Sequence, residues 1–150
     1  MEKKMSFKKI LVPVDGSETS YAAVEKAAEI AKAFDSHVLV VQVLTLDPYI
    51  AAEYISGSQT NELIERARVS LLKTLDEAKE KFAALGVTVE TRLLEGQVIQ
   101  REIVNAAEAE KVDLIIMASH GRTGLKKLVL GSVAQSVLAE GTVPVLIVRK

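Results

Sequence analysis

Five short apolar runs, the first four each followed by a helix-length stretch, restrict what this chain can fold into more than any other feature. The runs are Lys8 to Asp15, His37 to Leu44, Val87 to Leu94, Val112 to Ala118 and Val143 to Lys150. In "KKILVPVD" and "HVLVVQVL" consecutive residues are apolar, so both strand faces must be buried, as in a parallel sheet. "VTVETRLL" alternates at its start, which places it near a sheet edge. After the first run, Tyr21, Val24, Ala27, Ala28 and Ala31 recur at helical spacing, with Ser17 or Glu18 as the helix start. Further helices are expected over Glu62 to Leu85, stopped by Gly86, over Gln100 to Lys111, and over Ser132 to Glu140. This alternation predicts an α/β domain: a mostly parallel sheet with helices on both faces. The 150 residues fit a single domain, 1–150.

Composition narrows the function classes. The net charge is −1, so no global field draws the chain to nucleic acid or to an anionic membrane. Trp is absent and only three Tyr and three Phe occur, which disfavours a base-stacking platform. Without cysteine there are no disulfides and no thiolate metal sites, which fits a cytoplasmic protein. "MEKKMSFKKI" has no apolar core of a signal peptide, and no run is long enough for a membrane span.

In open α/β sheets, ligands bind beyond the carboxyl ends of strands, where the strand order reverses. Two strand ends carry suitable residues. The first closes on Pro13, Val14, Asp15 and Gly16. Two readings of Asp15 stay open: a helix N-cap, or a carboxylate offered to a ligand. The fourth strand runs into "ASHGRTGLKKLVLGS", Ala118 to Ser132, with glycines at Gly121, Gly124 and Gly131. The stretch is neither a P-loop nor a dinucleotide fingerprint. "SVAQ", Ser132 to Gln135, matches a capping box, so a helix is expected to begin there with its first amides turned to the loop. Phosphate binding and a plain glycine turn both fit. Thr45 to Thr60 is the one long irregular stretch, read either as a functional lid or as a surface insertion.

Together these residues resemble the universal stress protein family, in its single-domain, ATP-binding form. The family signature is Gly, two residues, Gly, nine residues, then Gly-Ser or Gly-Thr. Here Ala118, Gly121 and Gly131-Ser132 keep that spacing, and "ILVPVDGSETS" and "VPVLIVRK" are typical of its two ends. The resemblance implies a five-stranded parallel sheet in the order 3-2-1-4-5, a Rossmann-like α/β/α sandwich. It also implies an adenine nucleotide site. Val43 would meet the adenine edge through its backbone. Pro13, Val14 and Asp15 would lie against the adenosine, with Asp15 near the ribose or a metal. Met117 and Ala118 would line the nucleoside. Gly121, Gly131, Ser132 and Val133 would surround the phosphates. Arg122 would add a contact, while Lys126 and Lys127 read as a solvated face. ATP, or ADP or AMP, would come with Mg²⁺ or Mn²⁺. The departure is Ala118, which stands at the first glycine of the signature; its methyl matters only if the backbone needs positive φ or close approach there.

No nucleophile–base pair is visible. His37 opens a strand and reads as structural; His120 sits in the loop and reads as solvated. The resemblance therefore implies a nucleotide-dependent regulatory protein acting on an unnamed protein partner. The alternatives are a slow ATPase or nucleotidyl-transfer enzyme, or an interaction module that binds no nucleotide. The strand Val143 to Arg149, apolar on both faces at a sheet edge, would pair across a twofold axis into a homodimer.

Overall fold

The computed structural model describes residues 7–45, 57–119 and 130–149. The elements in chain order are β1 (Lys9–Pro13), α1 (Glu18–Phe34), β2 (His37–Thr45), α2 (Gly57–Ala84), β3 (Val89–Gly96), α3 (Ile99–Ala109), β4 (Leu114–Ala118), α4 (Ser132–Glu140) and β5 (Val145–Val148). The five strands form one parallel sheet in the order β3-β2-β1-β4-β5. This is the order the family resemblance implies, with β3 at one edge.

Strand alternation sorts the core into two halves. Ile10, Val12, Val38, Val40, Leu114 and Ile116 face α1 and α2, and pack on Val24, Ala27, Leu75 and Phe82. Leu11, Leu39, Val41, Ile115 and Met117 face α3 and α4, against Ile103, Ala107, Ala134 and Val137. Ile10, Leu11 and Val12 are wholly buried, because β1 lies at the centre of a sheet covered on both sides. The alanine stripe Ala23, Ala27, Ala28 and Ala31 is buried along α1 and gives that helix a small-residue face on the sheet.

Local chemistry sets the element ends. Ser17 caps α1, its hydroxyl accepting the Ser20 N–H at 3.1 Å. Helix α2 stops at Gly86, whose φ of +85° allows the Val87 N–H to reach back to the Phe82 carbonyl at 2.9 Å. Helix α2 begins at Gly57, earlier than the expected Glu62, so the irregular stretch shrinks to 46–56, which lies outside the described residues. Strand β1 ends at Pro13 rather than at Asp15, because the Asp15 carboxylate takes the Ser17 N–H and Gly16 turns the chain at φ +82°. At the far end of the sheet, the Asp113 carboxylate accepts the Lys8 and Lys9 N–H groups, both at 2.9 Å, and fixes the entry of β1 beside β4. Among the described residues no helix is long and apolar enough to cross a membrane.

Candidate functional site

The order of strands leaves a gap at the carboxyl end of the sheet. From β1 the chain moves outward to β2 and β3, then returns past β1 to β4, so the turn after β1 and the turn after β4 lie side by side. Strand β2 overhangs this gap. Its pairing with β1 ends at Pro13↔Val41, whereas its pairing with β3 continues to Thr45↔Gly96. The Val14 N–H takes the Val41 carbonyl at 2.9 Å before the chain turns away. Strand alternation then turns the N–H and C=O of Val43 to the same side as those of Val41, past the end of β1.

A cavity of about 390 Å³ occupies this gap. Pro13, Val14 and Asp15 enter it from β1, Val43 from β2, and Met117 and Ala118 from β4. Gly131, Ser132 and Val133 close it from the start of α4. Nine of the eleven expected ligand-contacting residues thus surround one space; Gly121 and Arg122 lie outside the described residues, as do His120, Lys126 and Lys127. His37, away from this cavity, opens β2 and faces Glu90 at 3.3 Å.

The two helix N-termini at the gap differ. That of α1 is consumed locally: Asp15 Oδ1 accepts the Ser17 N–H at 2.9 Å and Ser17 Oγ accepts from Ser20. Asp15 therefore shapes the turn, and Ser17 is the N-cap. Helix α4 is open. Its N-cap is Gly131, in extended conformation at φ −60°, with no side-chain capping bond. This corrects the capping box expected from Ser132 and Gln135. Ser132 is already inside the helix, and the Gln135 side chain donates to the Leu130 carbonyl instead of reaching back to the cap. The Gln135 N–H is the first to reach an intrahelical carbonyl, that of Gly131 at 3.0 Å. The amides of Ser132, Val133 and Ala134 precede it and have no carbonyl a turn earlier in the helix. All three residues line the cavity. Gly131 itself is tied back, its N–H meeting the Ser119 carbonyl at 2.6 Å, while the Ser119 N–H bonds the Val148 carbonyl. These bonds fix the start of α4 to the ends of β4 and β5.

Ala118 is the last residue of β4, paired with Val148. Its φ is ordinary: among the described non-glycine residues only Asp35 and Lys111 have positive values. The position thus makes no demand for glycine on backbone grounds, and the methyl becomes part of the cavity wall.

Sequence reading missed the remaining wall. Ile99 and Ile103 reach in from α3, Leu71 from α2 and Ser20 from α1. These residues carry no local motif; only the packing of their helices brings them here. Gln42 also lines the cavity, and one polar residue inside the run "VLVVQVL" was a signal available in the sequence.

Comparison with known proteins agrees with this architecture. The sequence model of the universal stress protein family matches residues 6–149. Universal stress protein MJ0531 of Methanocaldococcus jannaschii is 40% identical over 146 residues, which span 96% of this chain and 83% of that one. The solved structure of protein MJ0577, from the same organism, superposes with a TM-score of 0.83 at 32% identity, covering 97% of this chain and 98% of the other. A universal stress protein from Archaeoglobus fulgidus, solved in complex with dAMP, shares the fold at a TM-score of 0.71 and 23% identity, over 95% and 98% of the two chains. Sequence match, sheet order and superposition agree over nearly the whole length: this chain belongs to the universal stress protein family.

Proposed function

We propose that the cavity binds an adenine nucleotide, with ATP in complex with Mg²⁺ or Mn²⁺ as the principal ligand and ADP or AMP as alternatives. The uncapped N-terminus of α4, opening on the cavity, carries this reading. Its first amides, with no partner among the described residues, and the positive end of its dipole suit an anionic group. Other lining residues are apolar, among them Pro13, Val41, Val43 and Met117, which suits a flat heterocycle. The lining thus offers both amides for an anion and apolar surface for a base, and a volume of about 390 Å³ lies within the usual range for small-molecule sites. The dAMP complex of the Archaeoglobus relative supports the same reading.

The donor set fits a divalent cation that arrives with phosphate. Among the described residues no cluster of three or more His, Cys, Asp or Glu could hold a metal alone. Asp15 gives one carboxylate, with Oδ1 engaged by the Ser17 N–H and Oδ2 without a hydrogen bond among the described residues. Mg²⁺ is commonly held by one or two carboxylates plus substrate phosphates. The described lining includes no Lys or Arg, so the cation would also offset repulsion between Asp15 and the phosphates.

Occupancy of this site would regulate a homodimer formed through Val143 to Arg149, and through it an unidentified protein partner. Strand β5 supports the dimer: it is one edge of the sheet, pairs among the described residues only with β4, and its four apolar residues remain half-buried.

The test is thermal unfolding with ATP, ADP or AMP, each with and without Mg²⁺, beside an assay of nucleotide released from the denatured protein. At a hundred times Kd, a bound ligand stabilises by about 2.7 kcal/mol, which raises Tm by roughly 5–10 °C for a chain of this size. No shift with any of the three at millimolar concentration, together with no released nucleotide, overturns the proposal.

A further inference from the structure

Gln42 is the one buried polar side chain in a strand otherwise made for the core. The four residues before it, Val38, Leu39, Val40 and Val41, are each fully buried. Gln42 itself is 6% exposed, and its Oε1 is buried with no hydrogen-bond partner among the described residues. An unpaired buried amide oxygen destabilises the fold. Replacement by an apolar residue would remove that cost, so the amide calls for an explanation in function.

Its position supplies one. Gln42 lines the cavity from the face of the sheet that packs on α1 and α2, in the company of Val14, Ser20 and Leu71. Val43, next in sequence, turns its backbone to the gap past β1, as derived above. A planar base inserted there has one edge at the Val43 backbone and lies within the same space as the Gln42 amide. Rotation about χ3 of glutamine is broad and nearly two-fold, so either amide atom can be turned toward a ligand without moving the strand.

We propose that Gln42 is a specificity-determining residue for the base, its Oε1 accepting a hydrogen bond from the exocyclic amino group of adenine. The assignment rests on the nucleotide reading above. A carboxamide pairs well with an adenine edge, where an N–H donor stands beside a ring-nitrogen acceptor.

The experiment is calorimetric titration of wild type and Gln42→Leu with AMP and with purine riboside 5′-monophosphate, in which hydrogen replaces the amino group. Wild type should bind AMP roughly tenfold more tightly than the analogue, the worth of one buried hydrogen bond. In Gln42→Leu the ratio should fall to near one through loss of AMP affinity, while the ligand-free variant melts no lower than wild type because a buried, unpaired carbonyl oxygen has gone. If AMP binds and the variant keeps the wild-type ratio, or wild type binds both ligands equally, the Gln42 assignment falls and the nucleotide reading stands. If neither ligand binds wild type, the Gln42 assignment falls, and the nucleotide reading falls with it if ATP and ADP also give no thermal shift and no nucleotide is released.

Discussion

Gly16→Ala tests whether the turn that carries Asp15 depends on its backbone conformation. Gly16 has φ +82°, in the left-handed region. An L-residue held there costs about 1–2 kcal/mol. Contact adds little: a Cβ at this position would stand 3.3 Å from Thr74 Cγ2 and 3.6 Å from Thr74 Oγ1, which a shift of a few tenths of an ångström relieves. At roughly 2–4 °C per kcal/mol for a chain of this length, the expected fall in Tm is about 2–8 °C. Differential scanning calorimetry measures it, and the Thr74→Ala background separates the two causes. Backbone strain persists there, whereas a steric cost disappears. Nucleotide affinity should fall as well, since the turn positions Asp15. An unchanged Tm, or full recovery in the Thr74→Ala background, would refute the reasoning.

Three further outcomes follow from other parts of the molecule. Phe82 is wholly buried where α2 meets the sheet, and Phe82→Ala should cost about 3–5 kcal/mol in urea unfolding. Glu110 is held between Lys9, at 2.8 Å, and Arg92, and its carboxyl is lowered from 4.5 to about 2, first by the hydrogen bond from Lys9 and then by that from Arg92. A lowered carboxyl stabilises the fold above its unfolded value, and that contribution is lost as pH falls from 4.5 toward 2. The Tm gap between wild type and Glu110→Gln should therefore be widest at neutral pH and close across that window; a gap independent of pH refutes the assignment. Sedimentation equilibrium should give twice the chain mass if β5 pairs with its copy, and a monomer at all concentrations refutes the dimer.

The elements were legible in the sequence to different depths for physical reasons. Strands β1, β2 and β4 announce themselves because burial on both faces demands unbroken apolar runs, and Ile10, Leu39 and Ile115 are indeed enclosed. Their lateral order is not written in any local pattern; it came from the family resemblance. Ends were blurred wherever a side chain competes with the backbone, as where Asp15 takes the Ser17 N–H and halts β1. In the site, the signature spacing located Gly131 and Ser132, but "SVAQ" suggested a side-chain cap that is not formed: the N-cap is Gly131. That difference sharpens the chemistry. A capping box would have spent the first amides of α4 on its own side chains, as Ser17 does for α1. With no such cap among the described residues, the same amides can meet an anion, and the apolar lining from β1, β2 and β4 leaves that helix end as the principal source of positive field described in the cavity. Ligand binding at this end of the sheet thus depends on a helix start that secondary-structure stability alone would have closed.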